Sequence, residues 1–473
     1  MQFRHASFQF PSAALPLLLA GWVLAAAGCS DRTPPTPAET ADATPVLTPA
    51  ERIVQQMVAT YRQAESYRDR AVVRLKYRQQ GQVFEDEGQF AVSLVRPNKL
   101  SLQAYQLTLV SDGRRLRAVI ADPGSNDMDG QIVVREAPAV FRLDAIYEDP
   151  LMVDVMSNGM GGPPVTLELL LSESPLQELL AAGKRVELLD EGKIRDRVCD
   201  RVQVQLADGP LVFWVDRQSH LLLRLEYPTD RLAREMAAGN CTDVRLTAEF
   251  GEARVNERIA DDEFAFAVSE TAKTVSRFVL PPQPLPSELI GRLPDDFHFA
   301  GLDGELLTRD ALLGRIAVLV WFNNHPASQT ALEQFEQIRK ALPAEAQVAC
   351  YTVCTEPSSV SHAQLRTLVQ RWGSTAPLVR DLEAFGRDVF KIPYAPTVVV
   401  LDARGAVQLF EVGANPNLAS ELPDRLRLLA AGEDLAAGRL AQFRQEQMLY
   451  EKKLAELSRS APQDARVLRA PLR

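Results

Sequence analysis

Val318-Leu319-Val320-Trp321-Phe322-Asn323-Asn324-His325-Pro326-Ala327-Ser328-Gln329 is the stretch on which the fold turns. An apolar run of strand-forming residues ends in a polar break, and Pro326 then stands where a helix opens. Such a junction sets the side chains of the first helical turn at the positive end of the helix dipole. Here those side chains are His325 and Ser328, and no cysteine lies between Cys241 and Cys350. A helix N-terminus would stabilise a thiolate, but neither an imidazole nor a hydroxyl can form a disulfide.

Outward from this stretch the pattern alternates. Strand Ile316 to Phe322 leads to a helix ending at Leu342, strand Gln347 to Cys354, helix Ser361 to Trp372 and strand Thr397 to Leu401. Asp402-Ala403-Arg404-Gly405 joins that strand to Ala406 to Val412. This is a βαβ unit followed by a hairpin and a helix, an α/β pattern. The central turn resembles the Trp-Cys-x-x-Cys turn of TlpA/ResA-type thioredoxins, with His325 and Ser328 at the cysteine positions and Asn324 at the Trp position. Leu293-Pro294-Asp295-Asp296-Phe297 and Leu302-Asp303-Gly304 resemble the entry hairpin of redoxins. The resemblance covers 291–431 and implies a thioredoxin-like domain. The family's activity, thiol-disulfide exchange, would need the two absent cysteines. Two readings of His325 and Ser328 stand: a different catalytic pair, for which no acidic third member is identifiable, or a retired site kept as a binding scaffold. Pro396, in Tyr394-Ala395-Pro396-Thr397, resembles the cis-proline that faces the thioredoxin turn. In the family the adjoining backbone pairs with an extended peptide; the other reading is that Pro396 only shapes the core turn.

Pro281-Pro282-Gln283-Pro284-Leu285-Pro286 is a stiff linker that opens 281–290 and ends a different architecture. A helix opens at Thr48 with Pro49 at its first position, and Ile53, Met57 and Tyr61 repeat at helical spacing. Alternating strands follow, including 71–77, 88–94, 198–204, 211–215, 221–227 and 244–250, with Asp112-Gly113 as a hairpin turn. Helical patches fall near 141–156 and 175–182. This order resembles the LolA/LolB/RseB-type half-barrel, carried by Arg96-Pro97-Asn98-Lys99-Leu100, Phe213-Trp214-Val215-Asp216, and Asn256 through Asp262-Glu263-Phe264-Ala265-Phe266. It implies that 48–280 is an α+β antiparallel half-barrel whose concave face takes acyl chains or a partner peptide. Alternation alone is equally compatible with a filled core.

The N-terminus reads as a targeting segment. Arg4 and His5 precede an apolar run from Ala13 to Ala27, too short to span a membrane comfortably. It ends in Leu24-Ala25-Ala26-Ala27-Gly28-Cys29-Ser30, which resembles a bacterial lipobox with Cys29 as the lipid anchor; a plain signal peptide is the alternative. Residues 1–29 are thus the signal and anchor, and 30–47, rich in Pro, Thr, Ala and Asp, a tether. Beyond the second domain, 432–459 forms a helix whose stripe (Leu440, Phe443, Gln447, Tyr450, Leu454, Leu457) packs onto its own domain, and 460–473 is a tail. A net charge of -10 over 473 residues, with no basic block, excludes nucleic acid as an expected partner.

Export makes disulfides permissible, and Cys199 and Cys241 are read as a bridged pair, with two free buried thiols the alternative. Cys350 and Cys354, about 13 Å apart along one strand, are read as free. His220, His298 and His362 are scattered, so neither a metal nor a cofactor is expected. The sequence therefore describes an α+β half-barrel followed by an α/β thioredoxin-like domain. Its expected function is that of a lipid-anchored cell-envelope protein, facing the periplasm or exterior, that binds an apolar ligand or an extended protein segment. The alternative is an envelope thiol-disulfide oxidoreductase.

Overall fold

The computed structural model describes residues 47–121, 128–183, 185–237, 239–269, 271–342 and 348–462. Residues 1–46, Cys29 and the expected signal and most of the expected tether among them, lie outside the described residues. The described chain divides between Pro281 and Pro282 into two compact units, and the described residues from Lys452 onward go with the first.

The first unit opens with α1 (Pro49–Gln63), fixed by a capping box. The Thr48 hydroxyl accepts the Glu51 N–H at 3.2 Å, and the Glu51 carboxylate accepts the Thr48 N–H at 2.7 Å. Ala50, Val54, Met57 and Tyr61 form its buried stripe. The chain then runs through β1 (Ser66–Gln79), β2 (Gln82–Val95), β3 (Lys99–Ala104), β4 (Leu107–Asp112), β5 (Arg115–Ile120) and β6 (Gln131–Glu136). Four short helices follow: α2 (Asp144–Tyr147), α3 (Pro150–Ser157), α4 (Val165–Leu171) and α5 (Gln177–Ala182). Strands resume with β7 (Val186–Ile194), β8 (Arg197–Leu206), β9 (Gly209–Asp216) and β10 (Leu222–Glu226). After α6 (Asp230–Ala237) come β11 (Cys241–Phe250), β12 (Arg254–Val255) and β13 (Lys273–Val275).

All these strands join one 13-stranded sheet in the order β13-β6-β5-β4-β3-β2-β1-β11-β10-β9-β8-β7, with β12 paired to β1. The path is open, with ends at β13 and β7. Only the β13–β6 pair is parallel. Alternation sorts the two faces. Along β1, Tyr67, Ala71, Val73 and Leu75 are buried, while Arg68, Arg70 and Lys76 at alternate positions face solvent. The apolar face shares one core with the helices, in which Met57, Tyr61, Met152, Met156 and Leu169 are fully buried. Asp149 binds the end of the unit to its helices. One carboxylate oxygen accepts the Leu151 N–H at 3.0 Å, capping α3, and the other accepts the Phe278 N–H at 2.8 Å.

The second unit contains β14 (His298–Gly301), β15 (Leu306–Thr308), β16 (Ile316–Phe322), α7 (Pro326–Ala341), β17 (Val348–Cys354), α8 (His362–Arg371) and β18 (Leu378–Arg380). Then come α9 (Phe385–Asp388), β19 (Thr397–Leu401), β20 (Val407–Val412) and α10 (Leu418–Ala430). The last helix, α11 (Leu435–Arg459), enters this unit's core through Ala436 and Leu440. Further along it Leu454 and Leu457 pack in the first unit's core, so the stripe does not stay with its own domain throughout.

Its sheet runs β15-β14-β18-β17-β16-β19-β20, with β17 parallel to both its neighbours and β19 antiparallel to β16. This is the βαβ-then-hairpin arrangement that the sequence implies. Every residue of β16 is buried, because both faces are covered. Ala317, Leu319 and Trp321 face a core with Phe299 and Phe390, whereas Val318, Val320 and Phe322 face Leu332 and Phe335 of α7 and Leu422 of α10. Glu336 anchors α7. Burial pushes its carboxyl upward, but hydrogen bonds from Arg339 and Thr375 win and hold it at about 2.

Asp69 sits on the buried face of β1 at 2% exposure, its carboxylate accepting the Glu252 N–H at 3.3 Å. Burial pushes its carboxyl up to about 7. The fold therefore favours protonated Asp69. The resulting stability is complete below the ordinary carboxylate range and is lost as pH rises through about 7. Asp69→Asn, neutral throughout, is expected to exceed wild type in urea-unfolding stability by on the order of 2 kcal/mol at about pH 8, with a smaller margin at about pH 5. A variant less stable than wild type at the higher pH would show that Asp69 is held as a carboxylate.

Candidate functional site

The site develops where β16 ends. His325 is the N-cap of α7 and Pro326 its first residue, so Ser328 falls at the third helical position. The ring Nδ1 of His325 accepts the Ala327 N–H at 3.1 Å, the service that a capping oxygen usually performs. Ser328 is fully buried and its hydroxyl is committed twice: it accepts the Asn323 N–H at 3.3 Å and donates to Asn323 Oδ1 at 3.0 Å. The Asn324 N–H is taken by the Glu356 carboxylate at 2.7 Å. The turn is therefore closed by polar side chains. Its outward residues, Asn324, His325 and Pro326, are exposed.

The register brings Pro396 to the same place. Trp321 pairs with Thr397, so the residues leaving β16 and those entering β19 emerge side by side at one end of the sheet. The Ala395–Pro396 bond is cis. Pro396 is buried, whereas Tyr394 is 60% exposed. His325, Ser328 and Pro396 thus belong to one locality.

No activated nucleophile results. The Ser328 hydroxyl donates to an amide oxygen rather than to a base, and the His325 nitrogen on this side caps the helix. A hydrolytic pair needs the hydroxyl hydrogen-bonded to the base. Cys354 ends β17 in register with Phe322, but it is fully buried. Burial raises both Cys350 and Cys354 to about 11. Both remain thiols at neutral pH and are poor nucleophiles.

The Cys199–Cys241 bridge expected from the sequence is not formed; both cysteines are free. Cys199 lies on β8 and Cys241 on β11, with β9 and β10 between them. Three strand spacings place them roughly 14 Å apart, twice the reach of a disulfide. Of the histidines, His298 pairs with Glu383 at 3.0 Å, His220 lies in the β9–β10 turn and His362 opens α8. Among the described residues no group of three or more His, Cys, Asp or Glu side chains could hold a metal ion. Sequence reasoning missed Asn323 and Glu356. Asn323 was legible as a polar residue at a strand end five before a serine; Glu356 reaches the turn only through the β16–β17 pairing.

No protein-family model and no curated protein matches the chain. Similar solved structures each cover between 28% and 31% of this chain. StoA from Bacillus subtilis is 20% identical, covering 28% of this chain and 96% of its own, with a TM-score of 0.24. A secreted Mycobacterium tuberculosis disulfide oxidoreductase homologous to E. coli DsbE is also 20% identical, covering 28% and 95%, with a TM-score of 0.24. The thioredoxin domain of a thiol-disulfide oxidoreductase from Bacteroides vulgatus is 12% identical, covering 29% and 97%, with a TM-score of 0.25. Likenesses at this level assign no activity.

The helix N-cap and third helical position face each other across one turn, within the α-carbon window of a disulfide. His325→Cys with Ser328→Cys is therefore expected to yield an intramolecular bridge on mild oxidation, with the thiol at 325 titrating below an ordinary cysteine. Peptide mapping of the oxidised double variant checks this. Two free thiols after oxidation would show that the turn lacks the required geometry.

Proposed function

We propose that this chain is a lipid-anchored cell-envelope protein that holds an extended protein segment, without redox turnover, on a thioredoxin-like scaffold in its second unit. The observation that carries the reading is the commitment of the turn's functional groups to structure. Ser328 is buried and tied to Asn323, and the His325 nitrogen caps α7. The thiol nearest the turn, Cys354, is buried, and burial holds both it and Cys350 protonated. What stays available is an exposed surface of Asn324, His325 and Pro326 beside the Tyr394–Pro396 backbone. An aromatic side chain next to main chain entering a strand suits an extended segment, which needs backbone pairing and a side-chain contact.

The first unit fits the lipoprotein-carrier half-barrel in its N-terminal helix, long antiparallel meander and helices on one face. Its apolar face argues against an acyl ligand there, because Met57, Tyr61, Met152, Met156 and Leu169 already fill the space beneath the helices. Attachment is read from Leu24 to Ser30, with Cys29 carrying the lipid. The mature protein extracted from membranes is then expected to start at a lipid-modified Cys29, as read by mass spectrometry. An unmodified N-terminus elsewhere would remove the anchor from the proposal.

The binding reading predicts that the full chain reduces no disulfide substrate above background, yet takes up a fluorescent, reduced and alkylated unfolded polypeptide saturably. Tyr394→Ala is expected to weaken that uptake several-fold while leaving the unfolding free energy within about 0.5 kcal/mol. Reductase activity lost on replacing Cys350 or Cys354 would make the chain an enzyme with displaced thiols. Uptake unchanged in the Tyr394 variant would move the binding surface elsewhere.

A further inference from the structure

The polar face of the first unit's sheet carries a cleft of about 510 Å³, lined by Arg74, Lys76, Arg224, Arg245, Glu85, Glu87, Glu249 and Thr247. Its charges are arranged in cross-strand rows. Lys76 lies opposite Glu85 on one side and opposite Arg245 on the other; Arg74 lies opposite Glu87 and Thr247; Glu249 lies opposite Arg224. Each acid is engaged. Glu87 and Glu249 bind Arg74 at 2.7 and 3.0 Å, Glu249 also binds Arg224 at 2.6 Å, and Glu85 binds Lys76 at 2.9 Å. Four basic side chains face three acids, and the cation left over is Arg245, which makes no hydrogen bond or ion pair among the described residues.

Two cations directly opposite on neighbouring strands repel. The fold keeps this pair at Lys76 and Arg245, beside a hydroxyl on the same face, Thr247, that makes no hydrogen bond among the described residues. Arg224, which lines the cleft, is packed from beside it. The Trp214 ring lies against the Arg201 and Arg224 guanidinium groups at 4.5 and 5.1 Å, and its N–H donates to Glu226 at 2.7 Å. A guanidinium fork, an ammonium and a free hydroxyl, borne on two adjacent strands, match a tetrahedral oxyanion with acceptors on several sides. An oxyanion beside Arg245 is held chiefly by that guanidinium, with Lys76, shared with Glu85 at 2.9 Å, as a weaker second cation.

We infer that this cleft is a binding site for a phosphate-class oxyanion, held by Arg245 and Lys76 with the Thr247 hydroxyl as a further donor. The group could arrive as free phosphate or as the phosphodiester of a lipid headgroup, since both present the same oxygens. The inference is independent of any segment bound by the second unit.

The test uses the full chain at low ionic strength with two probes, inorganic phosphate followed by calorimetry and phosphatidylglycerol vesicles followed by co-flotation. Arg245→Gln is expected to weaken binding roughly tenfold or more, and Thr247→Val several-fold, as charge-assisted and neutral hydrogen bonds differ in strength. Arg245 is exposed, and removing it relieves a repulsion, so the glutamine variant keeps the wild-type unfolding midpoint or exceeds it. Phosphate uptake abolished in Arg245→Gln identifies a free-anion site; vesicle binding alone, abolished likewise, identifies a headgroup site. Failure of wild type to bind either probe, or binding that Arg245→Gln and Thr247→Val leave unchanged, overturns the inference.

Discussion

The register of β1 is the constraint on which the first unit depends. This strand pairs with β2, its neighbour in sequence, and with β11, most of the unit away along the chain. With Val73 opposite Ala248 and Arg74 opposite Thr247, Tyr67, Ala71, Val73 and Leu75 of β1 point to the helices and its basic residues point away. A slip of one residue would reverse the assignment and bury Arg68, Arg70 and Arg74 beneath the helices, at several kcal/mol for each unpaired charge. No local turn could enforce this pairing across so long a loop. The enforcement lies in the side chains, whose alternation leaves one acceptable match between the two halves of the meander.

In the second unit the corresponding constraint is burial on both faces of β16. A strand covered on both sides presents nothing to solvent until it ends, so whatever the unit offers chemically is concentrated at the junction with α7. There the chain spends its polar groups on itself. A histidine takes over a capping role, a serine is enclosed by the asparagine before it, and a glutamate from the next strand's loop accepts the remaining amide. These bonds hold the junction closed, and Asn324, His325 and Pro326 stay exposed beside it.

How far the sequence could be read depended on the range of the interaction. Thr48 with Glu51, the Asp112-Gly113 turn, and strands 316–322 and 397–401 were legible because their determinants lie within a few residues. The helical patch at 141–156 was legible only in outline: Pro150 divides it into α2 and α3, with Asp149 capping the second. Helix α4 and strand β7 were missed, one short and almost wholly apolar, the other weakly patterned at a sheet edge. The Cys199–Cys241 pairing failed for a different reason. Membership of strands was readable, but the order β8-β9-β10-β11, which separates the two sulfurs, is a property of the assembled sheet. The locality shared by His325, Ser328 and Pro396 was legible through resemblance, whereas the bonds that disable a nucleophile there were not.

The free cysteines have a consequence for how this chain comes to exist. If it folds where thiols are oxidised, Cys199, Cys241, Cys350 and Cys354 arrive together as an unfolded chain whose sulfurs can meet in any combination. The native sheet rewards none of those pairings and shelters Cys199 and Cys354 completely. Biogenesis then becomes a race between two clocks, the closing of the sheets around the sulfurs and the arrival of an oxidant. A molecule that loses the race is trapped by a crosslink that the finished architecture cannot contain, so its yield is set by speed of enclosure rather than by final stability.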